Sequence, residues 1–425
     1  MSEPRVKAPH DGSPLLRTIL GLVVCALLIA AVAGCGGSSS SSSGGSTASE
    51  EGEAPPSSGE ESEAGEEAEG EAGEEAEGEA GEEAEGSEAA AAVEEGSAEP
   101  KFEAPGPAFK VDKGVSGKTI WYVANGLNFP FSENLVAGTK EAAGKFGMKV
   151  TAVDGAGQPA KAASLIQQGI SQNAAAIVIQ AFPTEALEAS VKEAKGAGIP
   201  VIQINDGEEL SSKAKAAGVF ANVTSCYSCG GEALADLVSV NTENDAHVVF
   251  IDVPEIQTTV LEREAFEKHL GELCPDCSVS KASSPVAQWG NLASLTGSLL
   301  KSDPETNYLV PALDAMIPLM KPAIFAGGAE DVQISAYNAT QPNMEDLQKG
   351  ELVGGLVGNP EAWMGWAVVD ETLRALSDQP AVGDEKIPNR TFTEENVQEL
   401  DLKEPPISWY GEPEFRQGYE KLWEK

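Results

Sequence analysis

Two CxxC pairs, Cys226/Cys229 and Cys274/Cys277, and a set of amides and aromatics behind short apolar runs are the residues best placed to do chemistry. Paired CxxC motifs suggest zinc, yet the interval between these pairs is much longer than the roughly 15 to 20 residues of a zinc ribbon. The amides and rings suit recognition rather than turnover, because rings stack on flat apolar faces while amides pair with hydroxyls. Of the three histidines only His247 and His269 lie in the folded part, and no GxSxG, P-loop or HExxH arrangement occurs. Carboxylates are plentiful, so counting alone does not exclude a glycosidase-like pair. The residues carry no enzyme signature, and no cofactor or metal is expected.

The N-terminus carries a separate signal. Arg5, Lys7 and Arg17 precede an apolar run from Ile19 to Val32, shorter than the roughly 20 residues that span a bilayer, and Val32-Ala33-Gly34-Cys35 closes it. This resembles the lipobox of a bacterial lipoprotein, which implies cleavage before Cys35 and a lipid on its sulfur. The alternative, a single spanning anchor, lacks a stop-transfer cluster.

From Gly36 to about Gly106 the chain is a serine run followed by the tandem unit GEEAEGEA, starting at Gly65, Gly73 and, imperfectly, Gly81. Like-charged glutamates with little apolar surface predict an extended, disordered tether. Helix is the competing state, favoured by Glu and Ala and opposed by the recurring glycines. The net charge of −40 comes largely from this segment, but the remainder is also acidic, which argues against nucleic acid as a partner.

The elements that must position the amides and rings follow a regular alternation. Apolar runs at Lys118 to Ala124, Lys149 to Val153, Ala175 to Gln180 and Pro200 to Ile204 are separated by helical stretches starting near Ser132, Pro159 and Thr184, with Gly147 and Gly198 as stops. A second series follows near His247 to Asp252, Ser278 to Ala282, Tyr308 to Val310, Gln333 to Asn338 and Leu352 to Val357. Continuous apolar strands between helices predict an α/β fold of two doubly wound parallel-sheet lobes. Such sheets bind ligands beyond the carboxyl ends of their strands, so two facing lobes share one cleft.

The run WYVANGLNFPF from Trp121, INDG at Ile204, SAYNAT at Ser335, GLVGNPEAWMG at Gly355 and TEENV at Thr393 resemble, in that order, the type I periplasmic binding proteins of ribose- and xylose-type ABC sugar importers. The resemblance covers about Lys118 to Leu400. It implies two lobes joined by a hinge of three crossings, near Asn222, Gly358 and Pro380, that close on one small ligand. Lobe 1 is expected at 107–221 with 359–380, and lobe 2 at 222–358 with 381–425, after a signal peptide at 1–34 and a tether at 35–106.

Carried over residue by residue, the resemblance gives a ligand-binding set of Asn125, Phe131, Phe182, Asn205, Asp206, Trp289, Asp314 and Asn338. Departures accompany it. Ser132 stands at a second family aromatic, Asn205-Asp206 where Asp-Arg is common, Val260 at an arginine, Leu313 at an asparagine and Gly358 at a glutamine. Arginines clamp sugar hydroxyls bidentately, so their loss points to a less basic, more apolar cleft and a small neutral ligand. Plainer readings compete: Phe131 and Trp289 as core aromatics, Asp206 as a turn cap before Gly207, and Asn338 as turn chemistry. Trp363 and Trp366, three apart after Pro360, read as core.

With this topology Cys226 opens a helix near the hinge and Cys274 ends one running away from it, roughly 20 Å apart, so local bridges 226–229 and 274–277 are expected. A thioredoxin-like role for Cys226/Cys229 is a minor alternative. The expected protein is a monomeric, lipid-anchored solute-binding lipoprotein on the extracytoplasmic face of a bacterial cell membrane, delivering a sugar or sugar-like ligand to an ABC permease. The alternative is a ligand sensor of the same fold reporting to a membrane receptor or kinase.

Overall fold

The computed structural model describes residues 88–411 and 414–424. The expected signal peptide, Cys35 and the greater part of the expected tether lie outside the described residues. Among these, the first element is a helix, α1 (residues 88–97). Four successive alanines, Ala89 to Ala92, precede Val93 and favour helix there.

The first lobe is a five-stranded sheet built from β1 (Thr119–Ala124), α2 (Pro130–Gly144), β2 (Lys149–Asp154), α3 (Pro159–Ser171), β3 (Ala176–Gln180), α4 (Thr184–Gly196), β4 (Val201–Ile204), α5 (Ser212–Ala217) and β5 (Val219–Val223). Its strand order is β2-β1-β3-β4-β5 and every pairing is parallel. Proline in the first turn of α2 and α3 suits the one place where a missing N–H costs nothing. Gly147 and Gly198, beyond α2 and α4, take φ of +67° and +72°, a conformation in which a Cβ is strained.

The second lobe contains α6 (Tyr227–Asn241), β6 (His247–Asp252), α7 (Gln257–Leu273), β7 (Ser278–Ser283), α8 (Leu292–Ser302), β8 (Tyr308–Pro311), α9 (Ile317–Gly327), β9 (Gln333–Asn338), α10 (Gln341–Lys349) and β10 (Val353–Gly358). The chain then returns to the first lobe as α11 (Glu361–Leu376) and crosses back to add β11 (Arg390–Phe392). The six-stranded order is β11-β10-β9-β8-β6-β7, parallel except for the antiparallel edge strand β11. Central strands β3 and β10 are buried at every residue, whereas the edge strand β7 has only exposed and half-buried positions. That contrast is why the central strands read as continuous apolar runs. β5 and β11 are too short and mixed to stand out in the sequence.

Trp363 and Trp366 are core residues, as expected. They lie on α11, which packs so closely on α2 that a Cβ at Gly138 would come within 2.4 Å of the Ala362 carbonyl. What covers them differs from the expected lobe boundaries. The last helix, α12 (Phe415–Leu422), packs on lobe 1 and not on lobe 2, with Phe415 stacked 5.3 Å from Trp363 and Trp423 stacked 5.3 Å from Trp366. Residues 381–425 therefore divide between the lobes. The reason is an apolar stripe, Phe415, Tyr419 and Leu422, spaced to meet the tryptophan stripe of α11.

The end of the expected tether is likewise part of the fold. Ser97 accepts a hydrogen bond from Arg390 Nε in lobe 2 (2.9 Å), Phe102 lies 5.5 Å from Trp363 in lobe 1, and Phe109 N donates to Leu422 O (2.7 Å). The segment straps one lobe to the other. Apolar Val93, Phe102 and Phe109 pack against the cores of the lobes.

Both disulfides are the local ones, Cys226–Cys229 and Cys274–Cys277. Cys226 caps the start of α6, while Cys274 Sγ lies 3.1 Å from Asn244 O just beyond the other end, a helix length of about 22 Å away.

Candidate functional site

The cleft lies where the carboxyl ends of the two sheets face each other, and it encloses a small cavity of about 50 Å³. Lobe 1 supplies Asn125 after β1, Phe129, Phe131 and Ser132 at the start of α2, Gln180 and Ala181 ending β3, and Asn205 after β4. Lobe 2 supplies Ile256 before α7, Val286 and Trp289 from a 3-10 turn after β7, Leu313 and Ala315 after β8, and Asn338 at the end of β9. Tyr227, the first residue of α6, forms the floor at the hinge. None of these lining residues carries a formal charge.

Each polar group is held by a local reason. Asn125 Nδ2 donates to Ala181 O (2.8 Å), and Gln180 donates to Ser132 Oγ (2.8 Å) while accepting from Tyr122 Oη (3.0 Å). Asn205 Nδ2 donates to Tyr227 Oη (2.9 Å). The side-chain oxygens of Asn205 and Asn338 are buried without a partner, a state that costs free energy until a donor arrives. Both residues have left-handed backbones, with φ of +58° and +104°, and Ala181 joins them at +53°. Strain of this kind at strand ends is a mark of sites in which backbone geometry serves function.

Two rings close the apolar side. Trp289 is fixed by its Nε1 donating to Ser284 O (3.1 Å), and its turn is tied down by Val286 N donating to Glu255 Oε1 (2.7 Å). Across the cleft Phe129 meets Trp289 with ring centroids 5.2 Å apart, tilted at 56°. The ring that meets Trp289 is therefore Phe129, not the expected Phe131. Phe129 is the N-cap of α2 and Phe131 lies in its first turn, so the two rings point in different directions.

Of the expected set, the structure brings Asn125, Phe131, Asn205, Trp289 and Asn338 together at the cleft and leaves three out. Phe182 is buried in the core of lobe 1 with Leu187 and Val191. The backbone turn at Ala181 directs the next side chain under the sheet. Asp206 caps α4, accepting from Thr184 N (3.3 Å) and Oγ1 (2.5 Å), and burial raises its pKa. Asp314 is fully buried beneath the β8 loop, where Oδ2 accepts from Thr340 N (2.6 Å), Thr340 Oγ1 (2.6 Å) and Asn343 Nδ2 (2.9 Å), with its pKa again raised by burial. It braces the loop that carries Leu313 and Ala315. Gly358 is excluded from any side chain, because a Cβ there would lie 2.4 Å from Tyr410 Oη.

Behind Tyr227 the three hinge segments are tied to one ring. Tyr337 Oη pairs with Ser225 Oγ (2.8 Å), donates to Asn389 Oδ1 (2.6 Å) and accepts from Asn359 Nδ2 (3.2 Å), and its ring packs 4.5 Å from Tyr227. Gln180, Tyr227 and Tyr337 were not singled out from the sequence. Only the position of Gln180, last in its strand, carried a usable signal.

Two α/β lobes with strand ends facing one cleft, strapped by hinge segments and lined by amides and rings, define a bilobal ligand receptor. Residues 120–380 match the model of the periplasmic binding protein domain, and the chain belongs to that family, in its type I form. It is 24% identical over 245 residues to the ribose import binding protein of Escherichia coli (strain K12), covering 57% of this chain and 80% of that protein. It is 24% identical over 246 residues to the ribose import binding protein of Bacillus subtilis (strain 168), covering 57% and 77%. Among solved structures, an ABC transporter solute-binding protein from Agrobacterium vitis with bound allitol superposes with a TM-score of 0.61 at 17% identity, over 68% of this chain and 100% of that one. The 5-methylthioribose transporter solute-binding protein from Thermotoga lettingae gives 0.61 at 16% identity, over 75% and 99%.

Proposed function

We propose that this protein captures a small uncharged sugar-like ligand between its lobes and delivers it to an ABC import permease, and that it acts as a binding protein, not an enzyme. The observation that carries this reading is the pair of buried, unpartnered amide oxygens of Asn205 and Asn338 beside the Phe129–Trp289 ring pair. Amides ask for hydroxyl donors and rings for a C–H face, and a compact sugar or polyol offers both. The import relatives and the ligands named for the solved neighbours support the class. A hinge of this kind lets the ligand stabilise the closed state by touching both lobes.

The lipobox-like Val32 to Cys35 supports anchorage of the mature chain, through a lipid on Cys35, to the extracytoplasmic face of a bacterial cell membrane, with the glutamate-rich segment as spacer. Binding is tested by thermal shift across neutral sugars and polyols, since a ligand at 100 times its Kd adds about 2.7 kcal/mol. A flat profile across the whole panel overturns the reading. Metabolic labelling with a clickable fatty acid tests the anchor, and undiminished label in Cys35→Ser refutes it.

A further inference from the structure

The two walls of the cleft differ in chemistry, and that difference constrains the ligand beyond its being small and neutral. Lobe 1 presents Asn125, Ser132, Gln180 and Asn205. Lobe 2 presents Ile256, Val286, Leu313 and Ala315 around Trp289, and its single polar lining residue beyond the hinge floor is Asn338. The one donor on the Trp289 indole is already engaged by the Ser284 carbonyl. Away from Asn338, a hydroxyl directed at this wall would be stripped of water with no side chain to bond, a cost of about 1–3 kcal/mol for each buried group.

A sugar with hydroxyls around its whole rim therefore fits one wall and opposes the other. We propose that the ligand is amphipathic: one edge offers at least two hydrogen-bond donors to the orphan oxygens of Asn205 and Asn338, and the opposite side carries an alkyl, thioalkyl or deoxy surface that packs on Ile256, Leu313 and Trp289. This rests on the reading of the protein as a sugar-like ligand receptor and narrows the class within it. The charge-free lining excludes phosphorylated and acidic sugars from the same site. Leu313 is the residue on which the distinction turns, since the loop that carries it is rigidly braced by the buried Asp314.

Calorimetry and thermal shift on the full chain with matched pairs give the test: D-ribose against 5-deoxyribose and 5-methylthioribose, D-xylose against methyl β-D-xyloside, and myo-inositol against its monomethyl ether. Ribose 5-phosphate and glucuronate serve as charged controls. At least one substituted member should bind tenfold or more tightly than its parent. In Leu313→Asn and Val286→Thr, each checked for a native melting profile, that preference should shrink at least fivefold. If parents bind as tightly as or more tightly than their derivatives, or a charged control binds best, the amphipathic ligand is refuted while a sugar receptor stands. If neither parents nor derivatives bind, the receptor reading itself fails, and this inference with it.

Discussion

The wall of lobe 1 and the wall of lobe 2 come from the same kind of element, loops after parallel strands, yet one is amide-rich and the other nearly apolar. The doubly wound fold determines where a ligand sits but leaves each strand-end residue free, so the walls can differ without disturbing either sheet. A second contrast runs front to back. The cleft lining holds no ionisable carboxyl, whereas behind lobe 1 Asp370, Glu371 and Glu385 are buried together around Arg374, beneath Tyr419 and Trp423.

The largest expected effect breaks the apolar wall. Trp289→Ala removes a buried ring facing Phe129 and should weaken ligand binding roughly 30-fold or more, about 2 kcal/mol. Wild-type affinity in calorimetry would assign the ring to the core alone. Next is the brace under that wall. Asp314→Ala strips three donors of their acceptor and should lower unfolding stability by about 1–3 kcal/mol. Its ligand affinity should stay within a few-fold, whereas a loss matching that of Trp289→Ala would place Asp314 in the site after all.

On the opposite wall, Asn205→Ala should cost about tenfold in affinity, or 1.4 kcal/mol, by removing an acceptor for the ligand. Equal loss of a parent sugar and its alkylated derivative would assign the interaction to their shared polar edge. A loss confined to the alkylated member would invert the two walls.

The front-to-back contrast predicts different pH behaviour for binding and for folding. Burial pushes the Glu371 pKa up to about 8, with Asp370 adding to the rise and Arg374 opposing it. The unfolded group titrates near 4.3. Between these values the folded state keeps a proton that the unfolded state has lost, so stability contributed here falls as pH rises from about 4.5 to 8 and levels off above. Melting temperatures should decline over that window and Glu371→Gln should flatten the slope, while affinity at the charge-free cleft stays constant. A bell-shaped affinity profile would contradict the lining described.

The smallest effect concerns the disulfides. Each closes a very short loop, so Cys274→Ser with Cys277→Ser should cost less than the typical 2–4 kcal/mol in chemical denaturation and leave affinity unaltered.

Much of the architecture was legible because it follows from local rules. Apolar runs of strand length alternating with helical stretches, with Gly147 and Gly198 as stops, define repeated β-α units, and the right-handed crossover rule leaves few ways to assemble them. Strand ends mark the cleft, so Asn125, Asn205, Trp289 and Asn338 could be named from position. The local cysteine bridges followed from the length of α6 and α7.

Other features depended on tertiary packing. Whether Phe129 or Phe131 meets Trp289, and whether Asp206 and Asp314 face a ligand or brace a loop, turns on side-chain directions that no periodicity encodes. The strap at 88–109 and the docking of α12 on lobe 1 are long-range matches between separate apolar stripes. Short-range patterns specify elements and their termini; the partners those elements meet are chosen by burial summed over the whole chain.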